Sequence, residues 1–222
     1  MTPTKLRIVT GEERVSGLLT SPPKPQAALV LAHGAGAGMV HPFMVKVADG
    51  LATRGVATVR YQFPYMEKGS KRPDTPRIAQ ATVRAAVDEA VQRLGDVPLF
   101  AGGKSFGGRM TSQAQSAQPL RLVRGLVFLG FPLHAAGQPS DDRGKHLLDV
   151  KVPMLFLQGT RDSLADLTLM KPLVKKLGAR AALETFDHAD HSFHVPAKSG
   201  RNDAEVMEAL LDAMAAWMTA QR

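Results

Sequence analysis

Short, largely apolar runs bounded by glycine or proline recur along the chain, and between them the apolar residues switch to helical spacing. The runs are AALVLAHG (27–34), VATVRYQFP (56–64), VPLFAGG (97–103), RLVRGLVFLGFP (121–132) and VPMLFLQG (152–159). Segments apolar on both faces suit strands in the middle of a sheet. From Pro42 to Arg54, Phe43, Met44, Val47 and Leu51 fall on one helical stripe, with Gly55 as a stop. A second helix is predicted from Pro76 to Leu94, with Val83, Val87, Ala90, Val91 and Leu94 aligned and Gly95 closing it. Further helices are expected from Phe106 towards Gln118, around Leu164 to Leu177, and at the C-terminus, where Val206, Met207, Leu210, Leu211, Met214, Trp217 and Met218 share a face. Strands alternating with helices imply βαβ units, hence an α/β fold: a mostly parallel sheet with helices on both faces.

Two alternating segments between Lys5 and Thr20, separated by Gly11, read as an antiparallel hairpin before that sheet. The 222 residues form one domain, 1–222, in this reading. The absence of cysteine excludes a thiolate nucleophile and any disulfide framework, and fits a cytoplasmic compartment. The N-terminus has no apolar stretch of signal-peptide length, and no later run is long enough for a membrane span. A net charge of +8 raises nucleic acid as a partner. The basic residues are scattered, however, and their densest cluster, Lys68, Lys71, Arg72 and Arg77, lacks interleaved aromatics. Neither nucleic acid nor membrane is therefore expected as a partner.

The chemistry concentrates where the run VPLFAGG meets Gly103-Lys104-Ser105-Phe106-Gly107. A strand leading into G-x-S-x-G and then a helix is the arrangement that lifts a serine above a sheet edge, with glycines where neighbouring backbones pass closely. Serine is inert at neutral pH without a base, and the base needs a carboxylate to orient it. Asp162 lies directly beyond the run VPMLFLQG, and Asp166 and Asp187 are alternatives. His188, His191 and His194 compete for the base, with His191 preferred because Ser192 and Phe193 follow it. Negative charge developing on the substrate oxygen needs donors. One should be the Phe106 amide, and another should come from the loop His33 to Gly38. His33 itself is expected to pin that loop.

Two other readings fail on spacing. A phosphate-binding G-x-x-x-x-G-K-[ST] loop needs glycine at position 98, which is proline. The i, i+3, i+6 spacing of His188, His191 and His194 does not match helical zinc ligands, so no metal and no cofactor are expected. Lys104 then stands either as a solvent-facing residue at the helix start or as a contact to an anionic substrate. Tyr61, Phe63 and the basic loop from Glu67 to Arg77 are expected to form one wall of the site.

Taken together, GKSFGG, GTRD and ADHSF resemble the α/β-hydrolase superfamily, in particular its small, lidless, dienelactone-hydrolase-like members. The openings LAHGAGAGM and GKSFGGR are similar to a hydrolase-like branch that also contains scaffold proteins. The resemblance implies the α/β-hydrolase fold without a lid domain, His191 as base, and Ala35 as the second anion-hole donor, with Gly36 behind it. It further implies a small-molecule acyl substrate, an ester or thioester, with an interaction module that retains the fold as the alternative.

Overall fold

The computed structural model of the chain describes residues 1–221. The hairpin forms as β1 (Thr4–Thr10) and β2 (Glu13–Thr20), paired antiparallel. The chain then runs β3 (Ala27–Ala32), α1 (Pro42–Ala52), β4 (Val56–Tyr61), α2 (Pro64–Glu67), α3 (Pro76–Leu94), β5 (Leu99–Lys104) and α4 (Phe106–Ala117). It continues as β6 (Val123–Leu129), β7 (Met154–Gly159), α5 (Leu167–Leu177), β8 (Ala181–Phe186) and α6 (Asp203–Ala220). All eight strands join one sheet in the order β1-β2-β4-β3-β5-β6-β7-β8. Only the β1–β2 and β2–β4 pairings are antiparallel.

Every residue of β3 is buried, and its side chains alternate between two cores. Ala28, Val30 and Ala32 join the core under α3, α4 and α5, whereas Ala27, Leu29 and Leu31 join the one under α1 and α6. Two covered faces explain why this strand is apolar throughout rather than alternating. On α6, Val206, Leu210, Leu211, Met214 and Met218 are the buried stripe, and the helix begins in a capping box between Asn202 and Glu205.

The structure sharpens three boundaries. Helix α5 starts at Leu167 rather than near Leu164, because the Asp166 side chain accepts from the Thr168 amide and caps the first turn. The polar loop after β4 contains the one-turn α2, opened by Pro64. Between β6 and β7 lies a short 3₁₀ segment, Asp142–Asp149, and no lid domain occurs among the described residues. No helix among them is long and apolar enough to cross a membrane.

Strand order places the site. From β3 the chain moves outward to β4, then returns to lay β5 on the opposite side of β3. At such a reversal the loops beyond the two carboxyl ends part and leave a crevice. The loop after β3 carries residues 33–38, and the turn after β5 carries Ser105.

Candidate active site

Ser105 sits at φ 49° and ψ −115°, a conformation strained for a residue with a side chain, between the last residue of β5 and the first of α4. The turn holds because its neighbours have no Cβ. A Cβ on Gly103 would lie 2.3 Å from the Ala32 carbonyl oxygen, and one on Gly107 would lie 2.6 Å from that of His33. These two positions are the flanking glycines of G-x-S-x-G.

Three side chains distant in sequence meet there. His191 Nε2 stands 2.8 Å from Ser105 Oγ, and His191 Nδ1 stands 2.7 Å from Asp162 Oδ2. The Asp162 side chain is wholly buried, and that of His191 is 22% exposed. A carboxylate only accepts, so Nδ1 carries the proton and Nε2 presents its lone pair to the serine. Asp162 is itself held by donors: the Leu164 amide reaches Oδ1 at 2.8 Å, and Gln158 Nε2 donates to Oδ2. Gln158 is anchored in turn, since its Oε1 accepts from the Phe131 amide at 3.0 Å. Gln158 escaped the sequence reading. Its signal was a polar residue inside a strand whose every position is buried.

The loop bearing His191 is organised by Asp190, whose Oδ1 accepts from the amides of Ser192 at 2.7 Å and His194 at 3.0 Å. The competing histidines go elsewhere. His194 pairs with Asp203 at 2.8 Å, and exposed His188 is tied by its amide to Thr160 Oγ1. The alternative acids do not reach the imidazole either. Asp166 caps α5, and Asp187 is exposed.

Among the described residues, the amides of Ala35 and Phe106 donate to no group of the protein. The Gly36 amide is already engaged, donating to Tyr65 Oη at 3.0 Å, so of the two residues expected in this role Ala35 is the one whose amide is not taken. His33 does pin that loop. It is fully buried, its Nδ1 donates to the Gly34 carbonyl at 2.8 Å, and its Nε2 accepts from the Phe63 amide at 3.1 Å.

Burial holds the His33 imidazole neutral, lowering its pKa from 6.5 to about 4. Between those two values the unfolded chain binds a proton that the folded chain refuses, so stability falls as the pH drops from 6.5 towards 4. The full loss attributable to this group is about 3 kcal/mol. Urea unfolding at pH 7 and at pH 4.5 should show the decline, and His33→Asn should reduce its slope. An unchanged slope in the variant would assign the decline to other groups.

A cavity of about 440 Å³ opens beside Ser105, lined by Ala35, Ala37, Phe43, Met44, Leu164 and His191 among others. Tyr61 and Phe63, expected as its wall, are not part of it. Both are fully buried, Tyr61 in the core beneath α4 and Phe63 between the rings of His33 and Phe106. The basic loop from Glu67 to Arg77 is likewise not in the lining. It leans on the hairpin, where Lys68 pairs with Glu13 at 2.6 Å and Glu67 accepts from Ser16. Lys104 does line the cavity but is not a solvent-facing helix residue: it ends β5 half-buried, and its Nζ donates to the His191 carbonyl at 2.6 Å. A larger groove of about 630 Å³ between α1 and α6 shares Phe43 and Ser192 with this cavity. Ser105 and His191 are absent from its lining.

A lidless parallel sheet with a serine elbow at the strand-order reversal defines the α/β-hydrolase class. The chain belongs to the family described as "Alpha/beta hydrolase domain", which matches residues 25–219. An alpha-beta serine hydrolase homologue from Coxiella burnetii is similar in structure, with TM-score 0.76 at 20% identity over 96% of this chain and 98% of that one. Dienelactone hydrolase from Anabaena variabilis gives TM-score 0.75 at 20% identity, over 98% and 97% of the two chains. A serine hydrolase without lid from Xanthomonas campestris gives 0.74 at 19% identity, over 98% and 95%. At these identities the likeness is one of fold.

Proposed function

We propose that the protein is a serine hydrolase that cleaves a carboxylic ester or thioester through an acyl-enzyme intermediate. The observation that carries this reading is the hydrogen-bonded line from buried Asp162 through His191 to Ser105, ending at a cavity that Ala35 and Ser105 line. As Ser105 Oγ attacks the carbonyl carbon, His191 Nε2 takes the hydroxyl proton. The carbonyl oxygen becomes an alkoxide and accepts hydrogen bonds from the amides of Ala35 and Phe106. The imidazolium then gives its proton to the departing alcohol or thiol, and the acyl group remains on Ser105. Water repeats the sequence with His191 as base, releasing the acid and restoring the serine. Asp162 keeps the proton on Nδ1 throughout and stabilises the imidazolium.

Phe43, Met44 and Leu164 make the cavity suited to an apolar acyl group, the small-molecule partner of this reading. The test is labelling by a fluorophosphonate probe, which reacts only with an activated serine. The wild-type protein should label and Ser105→Ala should not. A wild type that stays unlabelled would leave the fold as an interaction module.

A further inference from the structure

Acyl transfer as described assigns no task to Lys104, although it precedes the nucleophile directly. Its ammonium reaches across to the loop between β8 and α6, donating to the main-chain carbonyl of His191 at 2.6 Å, and lies 5.6 Å from the centroid of the Phe193 ring. No carboxylate of the described residues forms an ion pair with it. Asp162 and Asp190 attract it only from farther away, and the imidazole of His191 is the other titratable group beside it. Burying a cation without a paired anion is costly, and a methionine of similar length would fill the same space without that cost. Room for the ammonium comes from Gly130, at φ 68° just past β6. A Cβ there would stand 3.0 Å from Lys104 Nζ and 3.4 Å from both Cε1 and Nδ1 of His191, so ammonium and imidazole share one small space.

The loop carrying His191 is braced internally by Asp190 and is tied to the end of β7 through the Arg161 amide and the Ala189 carbonyl. Among the described residues, its hydrogen bonds to the elbow are two: the Ser105–His191 bond itself and the Lys104 bond. The first is made and broken in every catalytic cycle, whereas the second can persist. We propose that Lys104 is a positioning residue for the base: its ammonium ties the His191 main chain to the nucleophile's own turn and so keeps the imidazole within hydrogen-bonding reach of Ser105. This rests on the reading of Ser105 and His191 as nucleophile and base. A displacement of about 1 Å between such groups costs about 100-fold in rate.

Burial also lowers the Lys104 ammonium from its ordinary 10.5 to about 8, so the tie weakens in mildly alkaline solution. The rate of fluorophosphonate labelling should therefore decline above about pH 8 in the wild type. In Lys104→Met the rate at pH 7 should be about 100-fold lower, with no alkaline decline, and KM for an activated ester should change less than about threefold. Because the chain contains no cysteine, Lys104→Cys can be aminoethylated at that single position. The product regains an ammonium, slightly more acidic than that of lysine, and should recover rate with its alkaline decline displaced to lower pH. A residue that merely fills space would be served as well by methionine and would show neither effect.

Should Lys104→Met melt below the assay temperature, Lys104→Cys measured before and after aminoethylation provides the same comparison at one position. Wild-type rate and pH profile in Lys104→Met, or in unmodified Lys104→Cys where that variant is needed, would overturn the role of Lys104 and leave the hydrolase reading intact. A wild type that does not label would remove both.

Discussion

Replacing His191 with alanine should lower kcat for an activated ester by about 10⁶-fold while KM stays within a few-fold. Without the imidazole, the Ser105 hydroxyl has no acceptor for its proton at 2.8 Å, and no other side chain of the described residues takes over that hydrogen bond. The cavity and the amides of Ala35 and Phe106 remain, so binding and residual stabilisation of the alkoxide should persist. Steady-state kinetics beside a thermal melt would separate lost chemistry from lost fold. A fall of less than about tenfold would mean that another group serves as base. His194 is an unsuitable substitute, since it is committed to Asp203 on the far side of its loop.

Asp162→Asn should lower kcat by about 10⁴-fold through the tautomer rather than through position. The two other partners of this carboxylate, Gln158 Nε2 and the Leu164 amide, are both donors. An asparagine has one acceptor oxygen; placed where Oδ1 stands, it accepts from the Leu164 amide, and its NH₂ then stands at the Oδ2 position facing His191 Nδ1. The imidazole would have to accept there and carry its proton on Nε2, pointing a hydrogen at Ser105 instead of a lone pair. Activity should recover partly at high pH, where hydroxide can assist, and the circular dichroism spectrum should match that of the wild type. Full activity in this variant would remove Asp162 from the mechanism.

The parts of this molecule legible in the sequence are those decided locally. Apolar runs too short for helices, stripes at helical spacing, and a strand entering G-x-S-x-G all follow from backbone and burial requirements acting over a few residues. The candidates Asp162 and His191 lie in the loops that follow β7 and β8, three and five residues past the strand ends, so the sheet delivers both to one edge. Tyr61 and Phe63 misled because an aromatic residue near a strand end can face a cavity or a core, and composition does not distinguish the two. Here His33 reaches back to the Phe63 amide, and Phe63 is enclosed by the rings of His33, Tyr61, Tyr65 and Phe106. Gln158 and Tyr65 drew no role from sequence, and the role expected of Lys104 missed its bond to the His191 loop, for a related reason. Gln158 finds Phe131, Tyr65 finds Gly36, and Lys104 finds His191, each through a single hydrogen bond between segments that only the folded chain brings together.

The short 3₁₀ segment between β6 and β7 bears on how such an enzyme would respond to the physical state of its substrate. With no cover to be lifted at an oil–water boundary, a dissolved ester and the same ester in a micelle would meet the same nucleophile. Saturation curves should then pass smoothly through the concentration at which the substrate begins to aggregate.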